Sequence, residues 1–180
     1  MSADIASDWV KKFMHDIPRS MGPVLDLACG SGRHTRLLLD AGYDVWSVDR
    51  DNDALASLSD TKANIHLHDL ESADFVWPFA EASFAGIVVT NYLHRPLMPF
   101  ILASLMDQGV LIYETFAIGN EKYGRPRNPD FLLRDNELIE HFVTAQVRGW
   151  HQQCLSFEHL YVNQRSEAIV QRICVRRCRT

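Results

Sequence analysis

Apolar positions recur along this chain in two periods. Near the N-terminus Ile5, Trp9, Phe13 and Ile17 stand four apart, which predicts a helix over residues 4–16, stopped by Pro18. Beyond it, short apolar runs alternate with amphipathic stretches. The runs 23–28, 44–49, Asn64–His68, Phe84–Thr90 and Val110–Thr115 predict strands. The stretches 33–41, 51–59, 97–106 and 134–142 predict helices, the first ended by Gly42. Val143–Gln152 and Ala168–Arg177 then read as two long strands with no helix between them, an antiparallel hairpin at the sheet edge. Strands alternating with helices make an α/β fold with a mostly parallel, seven-stranded sheet and helices on both faces. Residues 1–180 read as one domain, with 1–18 packing across the sheet edge or covering a ligand as a lid.

The most informative run is Val24-Leu25-Asp26-Leu27-Ala28-Cys29-Gly30-Ser31-Gly32-Arg33. It predicts a buried strand, an acid near its end, a glycine turn and a helix. Glycine permits positive φ and lets a ligand approach the backbone. A dinucleotide fingerprint needs a third glycine where this chain has Thr35, and Asp26 would repel a pyrophosphate. No Gly-Lys-Ser/Thr follows, so a P-loop is excluded. A second acid, Asp49, closes the next strand and suits the two ribose hydroxyls of a nucleoside. One acid before the turn and one after the second strand fit a nucleoside bearing positive charge, and S-adenosylmethionine is such a ligand. Asp26 would then serve its ammonium group, directly or through water.

The same residues carry a family resemblance. Asp26-Leu27-Ala28-Cys29-Gly30-Ser31-Gly32 resembles motif I of the class I S-adenosylmethionine-dependent methyltransferases. Ala28 stands where many members have their first glycine. Asn91-Tyr92-Leu93-His94-Arg95-Pro96-Leu97 and Tyr113-Glu114-Thr115-Phe116-Ala117 with Gly119-Asn120-Glu121 extend the likeness toward small bacterial tellurite-resistance-like members. The resemblance implies a Rossmann-like sheet, S-adenosyl-L-methionine as cofactor and S-adenosyl-L-homocysteine as product. Ligands of such sheets sit beyond the carboxyl ends of the strands. That rule selects Asp26, Ala28, Cys29, Gly30 and Gly32 after the first strand, and Asp49 with Arg50 after the second. It selects Asp69 and Leu70 after the third, placed by the resemblance near the adenine. Asn91, Tyr92 and His94 follow the fourth, and Glu114 ends the fifth. Methyl transfer chiefly needs alignment and exclusion of water. A base is needed only when the acceptor must lose a proton. His94 is the first candidate and Glu114 the second, with Asn91 and Tyr92 beside them. The Thr90-Asn91-Tyr92-Leu93 run lacks the two prolines common among enzymes that methylate base amino groups.

Composition narrows the partners. The chain has 180 residues, 47% of them hydrophobic, and a net charge of −5. That weighs against a broad nucleic-acid footprint, although Arg172, Arg176, Arg177 and Arg179 make the tail locally basic. The four cysteines, at 29, 154, 174 and 178, form no Cys-x-x-Cys pair, so no metal centre is expected, and reduced thiols suit the cytoplasm. No apolar run has the length of a membrane span, and the oligomeric state is left open. The segment Ile118–Asp130 reads as a long structureless loop on the ligand side, with Lys122, Tyr123, Arg125 and Arg127, and Arg95 nearby. Tyr123, Arg125, Arg127 and Arg95 are the candidate substrate contacts, for a small anionic or electron-rich acceptor. An RNA or protein methyltransferase and a non-catalytic sensor are the competing functions.

Overall fold

The computed structural model describes residues 5–145, 147–163 and 166–180. Seven strands form one sheet: β1 (Val24–Leu27), β2 (Val45–Asp49), β3 (Asn64–Leu67), β4 (Phe84–Thr90), β5 (Leu105–Phe116), β6 (Trp150–Val162) and β7 (Ala168–Arg179). Their order is β3-β2-β1-β4-β5-β7-β6. The first five run parallel, and β7 lies antiparallel between β5 and β6. After β1 the chain moves outward to β2 and β3, then returns to place β4 on the other side of β1. That reversal opens a crevice at the carboxyl ends of β1 and β4.

The two central strands are buried at every position, as a doubly covered parallel sheet requires. One face packs under α4 (Met98–Ser104) and α5 (Glu137–Phe142), with Leu97, Met98, Leu138 and Phe142 in the core. The other lies under α1 (Asp8–Phe13) and α2 (Arg33–Asp40), through Trp9, Val10, Phe13 and Leu38. The helix α3 (Asn52–Ala56) follows β2.

The expected elements recur with shorter helices. The N-terminal helix occupies Asp8–Phe13, capped by the Ser7 side chain, which accepts from the N–H groups of Trp9 and Val10. Ile5 precedes it and is exposed; Asp4, the expected first residue, lies outside the described residues. The expected strand Val143–Gln152 is displaced. A turn through Gly149, at φ 78°, leads into β6 at Trp150, which runs to Val162. Gln146, inside the expected strand, lies outside the described residues. An edge strand wetted on both faces shows little alternation, so the mixed polar and apolar run from His151 to Glu158 hid it. Residues 118–130 are also built rather than structureless. Two 3-10 turns, Asn120–Lys122 and Pro129–Phe131, shape them. Buried Asn120 holds the segment down, donating to the Pro126 carbonyl at 3.2 Å and accepting from the Ile169 N–H at 3.2 Å.

Arg95 is the strut between this segment and α5. Its Nε donates to Glu137 at 2.6 Å, and its Nη atoms donate to the Asp130 and Leu132 carbonyls at 2.7 and 2.9 Å. Glu137 is fully buried. Burial alone would raise its pKa, but hydrogen bonds from Arg95 and the Arg134 N–H outweigh it and hold the carboxyl at about 2. Its folded pKa thus lies below the unfolded one. The stabilisation is complete above the unfolded value and is lost as pH falls from about 4.5 toward about 2. Glu137→Gln is expected to cost about 3 kcal/mol at neutral pH. Thermal melts should show a gap from wild type that narrows below pH 4.

Candidate functional site

The glycine turn is built from left-handed residues. Ala28, Gly30 and Gly32 have φ of 54, 53 and 80°. A Cβ on Gly32 would stand 2.3 Å from a methyl carbon of Leu58, so packing against the region after α3 demands glycine there. A Cβ on Gly30 would meet nothing within 4 Å, which leaves its face open toward a ligand. Ala28 bears the strain of an L-residue in this region, on the order of 1 kcal/mol. Asp49 stitches the turn to β2. One of its oxygens accepts the Gly30 N–H at 2.8 Å and the other the Asp51 N–H at 2.9 Å.

Asp26 lies behind the turn, 2% exposed. Thr35 Oγ1 donates to it at 2.7 Å and also contacts Ser47 Oγ at 2.8 Å. Burial raises the Asp26 carboxyl to about 6, against the lowering effects of Thr35 and Arg33. The thiol of Cys29, buried and near Asp26 and Asp49, is pushed far up, which leaves it un-ionised and a poor nucleophile.

A cavity of ≈ 160 Å³ opens at the carboxyl ends of β2 and β3 beside Ala28. Asp49 and Asp69 offer carboxylates, and Val48, Leu70 and Tyr92 offer apolar surface. Arg50 and Glu71 pair at 3.5 Å in its wall. Tyr92 is bound up with this cavity: burial and its hydrogen bond with Glu71 push its phenol up, and its carbonyl accepts from Tyr113 at 2.8 Å. The residues fit an adenosine moiety: acids for ribose and base, an apolar wall and an open glycine beside them.

The remaining expected residues are spread around this centre. Asn91, at φ 55°, is exposed and donates its N–H to the Glu114 carbonyl. His94 is half-buried in the connection to the 3-10 turn at Arg95–Leu97. Glu114 Oε1 accepts from Ser7 Oγ at 2.8 Å, and its other oxygen faces Arg172 at 3.3 Å. Tyr123 packs against Tyr161 with ring centroids 5.1 Å apart. Arg125 and Arg127 are exposed. Arg95, a candidate substrate contact in the sequence, has its guanidinium nitrogens committed to Glu137 and two carbonyls, so it acts through the loop's position. Ser7, His34 and Arg172 were not singled out as site residues. Strand register brings Arg172 here and the docking of α1 brings Ser7, while His34 follows the glycine turn in α2.

A family model described as a methyltransferase domain matches residues 24–107. Over that stretch the chain is similar to the family. The match spans β1 to the start of β5 and so contains the turn, both acids and the cavity. The family implies S-adenosylmethionine as the cofactor of this domain. A probable S-adenosyl-L-methionine-dependent methyltransferase, TehB of Haemophilus influenzae, is 28% identical over 128 residues, 66% of this chain and 44% of that protein. The chain thus spans less than half the length of this relative. The crystal structure of TehB from Haemophilus influenzae superposes with a TM-score of 0.72 at 21% identity, covering 97% of this chain and 63% of that one. A [4+2]-cyclase, SpnF, has a TM-score of 0.69 at 13% identity, covering 95% of this chain and 80% of that one. These likenesses establish the fold. Among the described residues, no helix is long and apolar enough to cross a membrane.

Two outcomes test the turn of this methyltransferase domain. Gly32→Ala should lower stability by about 3 kcal/mol, through backbone strain and the Leu58 clash. Gly30→Ala should cost only about 1 kcal/mol in melting experiments, yet weaken S-adenosylhomocysteine binding. Asp26 sets a pH dependence. Its folded pKa is raised, so its stabilising contribution is complete below about 3.8 and is lost as pH rises through about 6. A cationic ammonium near it favours the ionised form, so binding expels a proton below pH 6. Calorimetry should show S-adenosylhomocysteine affinity rising roughly tenfold from pH 5 to pH 7, and little change in Asp26→Asn.

Proposed function

We propose that the chain is an S-adenosylmethionine-dependent methyltransferase acting on a small acceptor, anionic or electron-rich, in the cytoplasm. The observation that carries this reading is the left-handed turn Ala28–Gly32, tied to Asp49 and opening on a cavity with a second acid, Asp69. Bound cofactor supplies a methyl group already activated by its sulfonium. The protein's own part is to bind and align. Asp49 and Asp69 accept hydrogen bonds from ribose and base, Leu70 and Tyr92 hold the ring, and Asp26 balances the ammonium. Asn91 and His94 follow β4, and Glu114 lies near the end of β5, where an acceptor must meet the methyl group. His94 or Glu114 takes the proton of an acceptor that must lose one.

Of the two acceptor chemistries, the electron-rich one is favoured. Glu114 and Glu158 flank Arg172 beside the crevice, and two carboxylates against one guanidinium oppose an anion there. Arg125 and Arg127 support the anionic option, and they stand exposed on the loop.

Calorimetry with S-adenosylhomocysteine tests the cofactor site. Wild type should bind, and Asp49→Ala should bind about 10–100-fold more weakly, as expected for losing hydrogen bonds to a charged group. Equal affinity would mean that Asp49 does not hold the ribose. Turnover of labelled S-adenosylmethionine against a panel of small amines, thiols and oxyanions separates an enzyme from a sensor.

A further inference from the structure

On the α1 face of the sheet, beyond the cofactor cavity, the strands carry a charged ladder. Cross-strand register sets Glu114 opposite Arg172, and Arg172 opposite Glu158. Arg172 Nε donates to Glu158 at 2.7 Å, while Nη1 reaches Glu114 at 3.3 Å. The Arg172 guanidinium also lies 4.8 Å from the Trp9 ring centroid, which fixes the ladder on the side of α1. Two carboxylates share one guanidinium, so the ladder keeps one formal negative charge. Among the described residues, the second oxygen of Glu114 takes the neutral Ser7 hydroxyl. The Glu114 and Glu158 side chains keep 17% and 33% of their exposure, so a small molecule can reach both.

The next rung outward is apolar. Phe116 pairs with Val170 and Val170 with Leu160, and strand alternation sets them on the ladder's face. Phe116 and Leu160 are half-buried and Val170 is buried. The ladder is also joined to the cofactor turn. The Ser7 N–H donates to His34 Nε2 at 3.0 Å, and His34 stands in the first turn of α2, directly after Gly32. Thr90 Oγ1, at the end of β4, contacts His34 Nδ1 at 3.3 Å and accepts from Arg33 at 3.2 Å.

We propose that this ladder and its apolar rung are the acceptor subsite, and that it takes a primary or secondary amine carried on an apolar, ring-sized body. The inference rests on the methyltransferase reading and names the acceptor class for it. Glu114 and Glu158 receive the amine's N–H groups, and Phe116, Val170 and Leu160 carry the apolar body. Arg172 and Ser7 are positioning residues that orient the Glu114 carboxylate. A carboxylate-bearing acceptor of the same shape is refused, because it would meet two like charges in a partly buried place.

The test uses the full chain saturated with S-adenosylhomocysteine and observes the Trp9 indole N–H by NMR while probes are titrated. Phenethylamine should shift that resonance, and phenylacetate, of similar shape and opposite charge, should not. Glu114→Gln and Glu158→Gln, both isosteric, should each weaken the phenethylamine response at least tenfold while S-adenosylhomocysteine affinity stays within twofold. Arg172→Lys should retain part of the response. No shift with phenethylamine, an equal shift with phenylacetate, or an unchanged response in both glutamine variants would overturn the subsite. Failure of wild type to bind S-adenosylhomocysteine would instead overturn the cofactor reading, and calorimetry reports that separately.

Discussion

The Asp49 carboxylate, accepting the Gly30 N–H with one oxygen and the Asp51 N–H with the other, is the contact on which the site's shape depends. It joins the ends of two adjacent parallel strands. Three left-handed residues, Ala28, Gly30 and Gly32, carry the chain from β1 into α2, and such a turn persists only when its surroundings over-determine it. Asp49 supplies part of that determination from one side. Leu58 supplies more from beneath, filling the space a Gly32 side chain would need. Arg36 adds a third hold, donating to the Ser31 carbonyl at 2.6 Å. The open face at Gly30 is what remains when these contacts are made.

Burial and hydrogen-bond partners sort the acids of this protein into different tasks. Asp26 has one strong donor, Thr35, and a buried position, so burial wins and its pKa rises to about 6. Glu137 is buried too, but Arg95 and the Arg134 N–H converge on it, so ionisation wins and its pKa falls to about 2. The first is poised to respond to a nearby cation. The second is a fixed structural charge that holds the segment after β5 against α5. Two buried carboxylates of one protein thus answer to burial and to hydrogen bonding in opposite ways.

Much of this was legible in the residues. Largely apolar runs at 24–27 and 84–90 predict strands, and in the structure both are buried at every position. The acid, turn and acid pattern at Asp26, Gly30–Gly32 and Asp49 is local and reads directly as a nucleoside site. The family match over residues 24–107 covers that same stretch. Less legible were the start of β6, whose wetted faces blur alternation, and the order within 118–130, which rests on Asn120 reaching the distant Ile169.

Local covalent and steric rules act within a few residues, so the chain alone determined the strand–turn–helix unit of β1, its glycine turn and α2. Side-chain partners distant in sequence are another matter. Arg95 looked free until Glu137, 42 residues away, was seen to claim it. Arg172 read as part of a basic tail until strand register placed it between Glu114 and Glu158. Nothing in the sequence marked Ser7, whose hydroxyl meets Glu114 only because α1 docks on β5. A charge's role depends on its nearest opposite charge, and only the folded sheet decides which one that is.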